Sequence, residues 1–339
     1  MKKATRLKDL ADGLGISITT VSKALNNHPD ISDARKKEVL ELAKKMNYIP
    51  NEVAKSFRKQ KTKFIGIVLS DNSNPYNARV IKGIEETLSA KGYYSLILNS
   101  NEDINKEIQL VKELRSLNVA GILLSPASGN RESSELLDKF DIPYVLVNRY
   151  IDREKDNYVV VNDNKVAYMA VKHLNTHGND KVFFLNYMSS VSSSADRLHG
   201  YEKALRDCGL TPNPNWVIPE CMNQADGYEA MKRILEKYSP PFSVLCYSDY
   251  IAIGAICALQ EKGIRLPEDV AVMGIDDIGI LSFVRPGLTT IGVPKRRLGA
   301  KSADLLISLM EQKNSEDIVM PPEPKHFILE PELIIRETS

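Results

Sequence analysis

One short helical segment carries residues of the types that read nucleic-acid bases. After Ser17, the residues Val21, Ala24 and Leu25 fall at the spacing of one buried helix face. The outward positions are short, polar or cationic, and they are Ile18, Thr19, Thr20, Ser22 and Lys23. Hydroxyl and ammonium groups can hydrogen-bond to base edges in the major groove, and an aliphatic side chain can contact the thymine methyl group. These residues could therefore recognise a DNA duplex, although any small amphipathic helix pair shares some of these features.

The flanking sequence predicts the elements that would position this segment. A first apolar helix face ends at Gly15, which can take the positive φ of a sharp corner. Ser17 can cap the second helix, and Ser32 can cap a third that extends to about residue 46. The inner-facing residues of the first and third helices are predicted to be Leu7, Leu10, Ala11, Leu14, Val39, Leu42, Ala43 and Met46. Residues 1–46 are thus expected to form an all-α helix-turn-helix head.

Charge is distributed unevenly along the 339 residues, although the net charge is only +1. Residues 1–63 hold 15 Lys and Arg against 7 Asp and Glu, while the remainder holds 30 against 37. A basic head on an acidic body indicates that only the head meets a polyanion. The four cysteines show neither CxxC spacing nor a histidine cluster, so no metal, disulfide or cofactor is expected. Because no apolar run suits a membrane span or signal peptide, we expect a cytoplasmic, nucleoid-associated protein.

Residues 47–63 predict a short basic helix between the head and the rest of the chain. Pro50 stops the third helix because it lacks an N–H group, and Asn51 can cap the segment that follows. Two helical turns without a core are unstable alone in water, so the segment should fold only against a partner helix and DNA. The alternative is a plain basic linker.

From Phe64 onward, strand-like apolar runs alternate with helical patterns. This alternation predicts parallel sheets with helices on both faces. The series is too long for one sheet, and it divides near Asn162 into two similar halves. We therefore expect an α/β body of two lobes with a cleft between them, in which the final segments cross back. The predicted first lobe comprises 64–162 and 293–322, and the predicted second lobe comprises 163–292 and 323–339.

Polar residues lie where the predicted strands end, and ligands of open α/β sheets bind beyond these ends. The residues concerned are Ser70, Asp71, Asn72, Tyr76, Asn148, Arg149, Ser193, Arg197, Ser248, Asp249, Asp276 and Asp277. Such a set suits a neutral polyhydroxyl ligand. Arg197 offers a fixed fork of donors, while Asp249 and Asp276 can accept hydroxyl protons. Structural roles are the alternative, with Asp277 as a turn cap and Arg149 in an ion pair between lobes.

The order of a helix-turn-helix, a third helix, the sequence NYIPNEVA and a short basic helix resembles the LacI/GalR family of bacterial transcription regulators. The resemblance continues through the body, which is similar to periplasmic binding proteins. It implies that the second helix enters the major groove, where Ile18, Thr19 and Lys23 read bases. The phosphate-contacting positions that it implies are Thr5, Ser17, Thr20, Ser22, Asn26, Tyr48 and Asn51.

The resemblance also implies a hinge helix that pairs with its dimer mate in the minor groove. Phe57, with Ala54 beside it, falls at the position whose side chain levers the DNA open. Family members usually have Leu there, but Phe can also insert between base steps. Simple packing between two hinge helices is the alternative for Phe57.

The segment RLHGY matches the family pattern R-L-x-G-[FWY], which implies that Arg197 is the main effector anchor. Ser193, Met222, Ser248 and Asp276 fall at other effector positions of the family. The loop VSSSADR lacks the Arg of the family's purine pocket, and this absence disfavours a purine. A sugar or sugar phosphate is therefore the expected effector.

Together these features predict a homodimeric, sequence-specific repressor that binds a near-palindromic operator and is controlled allosterically by its effector. The alternative from another class is a cytoplasmic receptor for a sugar or purine without DNA activity, which the basic head disfavours. An enzyme is not expected, because the sequence has no P-loop, GxSxG, HExxH or GxGxxG motif. Asp276 and Asp277 are adjacent at a strand end and should point to opposite sides, so they would not share an acid–base site.

Overall fold

The computed structural model describes residues 5–49, 62–127, 129, 131–283, 285–313 and 323–339. Contacts between residues divide the chain into two units, Met1–Thr62 and Lys63–Ser339. The predicted hinge helix falls largely on residues 50–61, outside the described ranges. Within those ranges, no helix is long and apolar enough to span a membrane.

The first unit contains the predicted helix-turn-helix. Its helices are α1 (Leu7–Leu14), α2 (Ile18–Leu25) and α3 (Asp33–Lys45). Gly15 takes φ 65° at the end of α1, in the left-handed conformation that glycine tolerates best. The Ser17 hydroxyl accepts a hydrogen bond from the Thr20 N–H at 3.0 Å and so caps α2. Leu10, Val21 and Val39 are fully buried where the three helices meet, which confirms the predicted inner faces.

The second unit contains two six-stranded sheets, as predicted for a two-lobed α/β body. The strands of the first sheet are β1 (Phe64–Leu69), β2 (Tyr94–Asn99), β3 (Gly121–Leu124), β4 (Tyr144–Val147), β5 (Tyr158–Val161) and β11 (His326–Leu329). Their order is β2-β1-β3-β4-β5-β11, and all of the pairings are parallel. The helices of this lobe are α4 (Pro75–Ala90), α5 (Ile104–Ser116), α6 (Glu132–Lys139) and α11 (Lys295–Lys313). Buried aliphatic runs such as Ile65–Leu69 form these strands because both faces of the sheet are covered.

The second sheet repeats this plan. Its strands are β6 (Val182–Leu185), β7 (Val217–Ile218), β8 (Phe242–Cys246), β9 (Val270–Asp276), β10 (Thr289–Gly292) and β12 (Glu332–Ile334). Their order is β7-β6-β8-β9-β10-β12, and β12 is antiparallel to β10, unlike the other pairs. The helices of this lobe are α7 (Asp163–Leu174), α8 (Ser192–Asp207), α9 (Gln224–Lys237) and α10 (Asp249–Glu261).

The path of the last strands corrects one predicted boundary. The sequence predicts residues 323–339 in the second lobe, but β11 pairs with β5 in the first sheet, with Ile328 opposite Val160. The chain therefore returns to the second sheet only after Leu329. A four-residue strand at a sheet edge carries too little pattern to show which of two similar sheets it joins.

The chain passes between the lobes at three places within the described residues. The passages are Asn162, the segment 293–294 and the segment 330–331. The first and last of them are joined, because the Asn162 amide donates to a Glu330 carboxylate oxygen at 3.3 Å, and Lys165 pairs with the same carboxylate at 2.6 Å. Short connections of this kind between two lobes can act as a hinge, about which one lobe rotates against the other.

Candidate nucleic-acid interface and effector cleft

The outward face of α2 leaves the predicted reading residues accessible. Ile18 is 40% exposed although it is aliphatic, and Thr19 beside it is also exposed. Val21 and Ala24, by contrast, are buried against the other two helices. The helix thus presents a mixed aliphatic and hydroxyl surface, as major-groove contacts require.

Lys23, the cation on this face, is already paired within the head. Its ammonium lies 2.9 Å from a carboxylate oxygen of Asp30, in the loop after α2. The hydrogen bond from Lys23 lowers the pKa of Asp30, and the charges of Lys23 and His28 lower it further. A base contact by Lys23 would therefore replace an exposed ion pair, which holds the ammonium only weakly.

Several predicted phosphate-contacting residues also support the head itself. The Thr5 hydroxyl donates to the Met46 carbonyl at 2.9 Å and ties the start of the chain to the end of α3. The Asn26 amide donates to the Ser22 carbonyl at 2.7 Å, and the Ser17 and Thr20 hydroxyls lie 2.8 Å apart. Tyr48 is half-buried against the head core. The remaining predicted contacts, Asn51, Ala54 and Phe57, lie outside the described residues.

A cleft opens in the body where the strand ends of both lobes face each other. The space among its lining side chains is about 550 Å³, open solvent included. Seven of the nine predicted effector residues line it, namely Ser70, Tyr76, Asn148, Arg197, Met222, Ser248 and Asp276. Asp71 and Arg149, at the same strand ends, also line it. Parallel strands bring these residues together because their carboxyl ends share one edge of each sheet.

Arg197 is held rigidly on α8 by three contacts. Its Nε donates to Asp163 at 2.7 Å, its Nη1 donates to the Tyr247 carbonyl at 2.5 Å, and its guanidinium lies 4.1 Å from the centre of the Tyr247 ring. Burial alone would lower the pKa of Arg197, but Asp163 and its neighbours hold it above the ordinary value. Nη2 makes no hydrogen bond to any residue that the structure describes. A fixed cation with a spare donor therefore faces the cleft.

Gly200 shows why the RLHGY pattern positions Arg197. A Cβ atom at Gly200 would lie 2.0 Å from the Asn164 carbonyl oxygen, so only glycine lets α8 approach the start of α7 this closely. Asp163 is the first residue of α7, and the close approach brings its carboxylate to Arg197.

Asp276 ends β9 in a strained conformation, with φ 115°. Its side chain is buried at the cleft, and its carboxylate accepts no hydrogen bond from the described part of the chain. Burial raises the pKa of Asp276 to about 7, although Arg197 and Lys295 act to lower it. Lys295 itself donates to the backbone carbonyl of Asp276. The carboxylate therefore has acceptor capacity that no described residue fills.

Two predicted effector residues lie behind the cleft surface. The Ser193 hydroxyl is buried and lies 2.8 Å from the Tyr247 hydroxyl. Asp249 is fully buried and accepts hydrogen bonds from the Ile278 N–H at 2.9 Å and the Thr290 hydroxyl at 2.6 Å. These contacts secure the walls of the site, so neither residue lines the cleft, contrary to the sequence-based expectation.

Five further lining residues were not among the sequence-based candidates, namely Asn74, Asn77, Glu102, Tyr187 and Tyr247. Tyr187 and Tyr247 follow β6 and β8 closely, so the strand-end rule that found the others could have found them. Their rings stack at 4.8 Å, which forms an aromatic wall in the second lobe. Within the described ranges, no three His, Cys, Asp or Glu side chains lie close enough to hold a metal ion.

Comparison with known proteins identifies the class of protein that this fold and site define. Residues 6–51 match the family model described as bacterial regulatory proteins, lacI family. Residues 62–329 match the model for periplasmic binding proteins and the sugar binding domain of the LacI family. The chain therefore belongs to the LacI family, and it is a DNA-binding regulator of transcription.

Individual relatives match along nearly the whole chain. The HTH-type transcriptional repressor PurR of Pasteurella multocida (strain Pm70) is 33% identical over 333 residues, which are 98% of each chain. A structure of the transcriptional regulator CelR in complex with cellobiose superposes with a TM-score of 0.75 and 25% identity, covering 99% of this chain and all of that one. The lac repressor dimer bound to operator and the anti-inducer ONPF gives a TM-score of 0.87 over 99% of both chains. At 23% identity, that last likeness concerns the fold.

Proposed function

We propose that this protein is a homodimeric repressor whose affinity for a near-palindromic operator is set by a small polyhydroxyl effector, a sugar or its phosphate ester. The observation that carries the sensor part is that Arg197 and Asp276 both line the cleft. Each is buried, and each keeps hydrogen-bonding capacity that the described residues do not use. Both unused groups line the cleft, where a polar ligand can complete their hydrogen bonds.

The chemistry of the lining favours hydroxyl groups as the ligand's contacts. Sugar hydroxyls can donate to Asp276 and accept from Nη2 of Arg197 at the same time. The stacked rings of Tyr187 and Tyr247 offer an apolar wall to the C–H face of a sugar. The cellobiose in the CelR complex and the sugar binding domain named in the family model agree with this chemistry. A purine is the second candidate, because the same wall would also stack on a flat base.

The positions of the cleft and of the passages between the lobes suggest how effector binding could change operator affinity. A ligand that contacts Ser70 in the first lobe and Arg197 in the second favours one angle between the lobes. In a dimer, a changed lobe angle alters the distance between the two segments at 47–63, which we propose fold and insert only when held side by side. This coupling is reciprocal, so operator DNA must change effector affinity by the same factor.

The test uses the full chain with neutral sugars, sugar phosphates, adenine and guanine in thermal unfolding. A ligand at 100 times its Kd stabilises the folded protein by about 2.7 kcal/mol, which is a readily measured rise in Tm. Asp276→Asn should lose the response to the active compound. Asp304→Asn, an exposed change on α11, should keep it.

The outcomes separate the candidate functions. A stabilising sugar together with a duplex recovered by genomic selection supports the sugar-controlled repressor, and a response to adenine or guanine alone favours the purine. A ligand response without any selected duplex would instead favour the receptor alternative. If no compound raises Tm, the sensor role of the cleft is wrong.

A further inference from the structure

Arg149, the second guanidinium in the cleft, is neutralised by an adjacent carboxylate. Its two terminal nitrogens donate to the two carboxylate oxygens of Glu102, at 2.8 and 2.9 Å, and Nη1 also donates to the Pro126 carbonyl. The Arg149 side chain is 5% exposed and that of Glu102 is 7% exposed. A parallel two-bond pair of this kind uses the fork that would otherwise bind a phosphate or carboxylate.

Arg197, the first guanidinium, is matched by Asp163 through a single hydrogen bond from its Nε, at 2.7 Å. Among the described residues that line the cleft, no other is a Lys or Arg. Lys295 lies behind Asp276, where it donates to the backbone carbonyls of Asp276 and Asp277.

The carboxylates of the cleft exceed its cations. After the two ion pairs, Asp276 and Asp71 remain, and the only hydrogen bonds to the Asp71 carboxylate come from Ser73 among the described residues. The lining is thus negative when Asp276 is ionised. When Asp276 is protonated the lining still contains no unmatched positive charge.

We propose that Glu102 is a specificity-determining residue, which occupies the anion-binding fork of Arg149 and thereby restricts the cleft to uncharged polyhydroxyl ligands. This inference deepens the proposed function and rests on it, because it excludes the sugar phosphates from the expected effectors. A phosphate ester entering the cleft would lose its hydration and meet two carboxylates, while a carboxylate already matches the charge of each described guanidinium group of the cleft. Rejection of this kind acts by repulsion and not by shape.

The same carboxylate also contacts the opposite lobe. The Tyr187 hydroxyl donates to Oε1 of Glu102 at 2.8 Å, which fixes the orientation of the carboxylate against Arg149. Both oxygens of Glu102 thus accept hydrogen bonds from Arg149, and Oε1 also accepts one from Tyr187. The carboxylate is held beside the Arg149 guanidinium, where its charge repels a second anion.

Calorimetric titration of the full-length protein with matched pairs tests the proposal directly. The pairs are ribose and ribose 5-phosphate, glucose and glucose 6-phosphate, and galactose and galactose 6-phosphate. We expect the neutral member of the active pair to bind at least tenfold more tightly than its phosphate ester. Equal or tighter binding of the ester would overturn the exclusion by Glu102 while leaving the cleft as an effector site. If no member of any pair binds, the proposed sugar sensor fails, and this inference fails with it.

The variant Glu102→Gln removes the negative charge of the side chain while nearly keeping its size, so it tests the effect of the charge alone. Glutamine keeps an oxygen acceptor for Tyr187 but leaves the Arg149 charge unmatched. We expect this variant to bind inorganic phosphate, measured at constant ionic strength against chloride, whereas the wild type does not. Glu268→Gln, an exposed change that removes the same charge elsewhere, should leave the wild-type preference unchanged.

The double variant Glu102→Gln with Arg149→Gln should lose the phosphate binding that the single variant gains. Phosphate binding by the wild type, or its absence in a folded Glu102→Gln variant, contradicts the proposal. If the single variant does not fold, the titration of the wild type with the matched pairs still tests whether the cleft rejects phosphate esters.

Discussion

The Tyr187 hydroxyl lies 2.8 Å from a carboxylate oxygen of Glu102, and the two residues belong to different lobes. Tyr187 follows β6 in the second lobe, and Glu102 follows β2 in the first. A second contact between the lobes is the ion pair of Arg153 and Asp196, at 2.8 Å. Polar contacts of this kind hold the lobes together, and a ligand in the cleft can change their relative position.

Tyr187→Phe should loosen the bridge without removing the ring that stacks on Tyr247. We expect the sugar to bind the bridged arrangement. A hydrogen bond to a charged group contributes about 1.5–3 kcal/mol, so its loss should lower sugar affinity about tenfold or more. Isothermal titration with the active sugar measures this change. Tyr228→Phe is the matched control, because Tyr228 donates to Glu261 at 2.6 Å away from the cleft. Equal effects of the two substitutions would show that the bridge has no role in binding.

Asp276 should make both stability and ligand affinity depend on pH. Burial raises its pKa from 3.8 to about 7, so the folded chain holds a proton that the unfolded chain releases above about pH 4. The free energy of unfolding should therefore fall as pH rises from about 4 to 7, and Asp276→Asn should reduce this fall. Burial and the charge of Asp276 also raise the pKa of Asp249. Asp249 should therefore also make the free energy of unfolding fall as pH rises.

Sugar affinity should rise over this interval, because an ionised carboxylate is the better acceptor for ligand hydroxyls. Chemical denaturation and titration at pH 5, 6, 7 and 8 measure the two trends, with Asp304→Asn as the control. An affinity that does not change with pH in the wild type would contradict the role given to Asp276.

Lys23→Ala should weaken operator binding by about 1–3 kcal/mol and relax base preference at one position, if Lys23 contacts a guanine. Asp30→Ala should have the opposite effect on affinity, because it frees the ammonium and removes a negative charge from the head. Fluorescence anisotropy with single-base operator variants measures both. Lys262→Ala, an exposed change in the other unit, controls for net charge. If Lys23→Ala lowers affinity equally for all of the single-base operator variants, Lys23 contacts a phosphate and does not read a base.

Gly200→Ala tests the close packing of α7 and α8. The added Cβ would lie 2.0 Å from the Asn164 carbonyl oxygen, so the helices must separate, and overpacking of this kind typically costs about 1–3 kcal/mol. Because Asp163 moves with α7, the variant should also bind sugar less tightly. Thermal unfolding and titration measure the two effects. Helix propensity alone predicts the opposite sign, since alanine is the better helix former by about 0.5–1 kcal/mol, and a stabilised variant would contradict the packing argument.

Much of this molecule could be predicted from local pattern. The corner at Gly15, the cap at Ser17 and the buried strands depend on a few neighbouring residues, which the sequence displays directly. The strand-end rule also found Arg197 and Asp276, because parallel strands place their carboxyl ends at one edge.

Long-range pairing could not be predicted in the same way. Glu102 reaches Arg149 and Tyr187, which are 47 and 85 residues away, and no local signal marks a carboxylate for distant partners. A single step in register decides whether a side chain faces the cleft or the wall, so Ser248 lines the cleft and Asp249 does not. The short strand β11 carries no information on which sheet it joins.

Operator affinity with and without bound effector tests the central claim most directly. The full-length protein is titrated onto its selected duplex, first alone and then at a saturating concentration of the sugar that raises Tm. The account predicts that the sugar changes the operator Kd at least fivefold, that Asp276→Asn abolishes this change, and that the same variant binds the operator normally without sugar. An operator Kd that is identical with and without bound sugar would contradict the account.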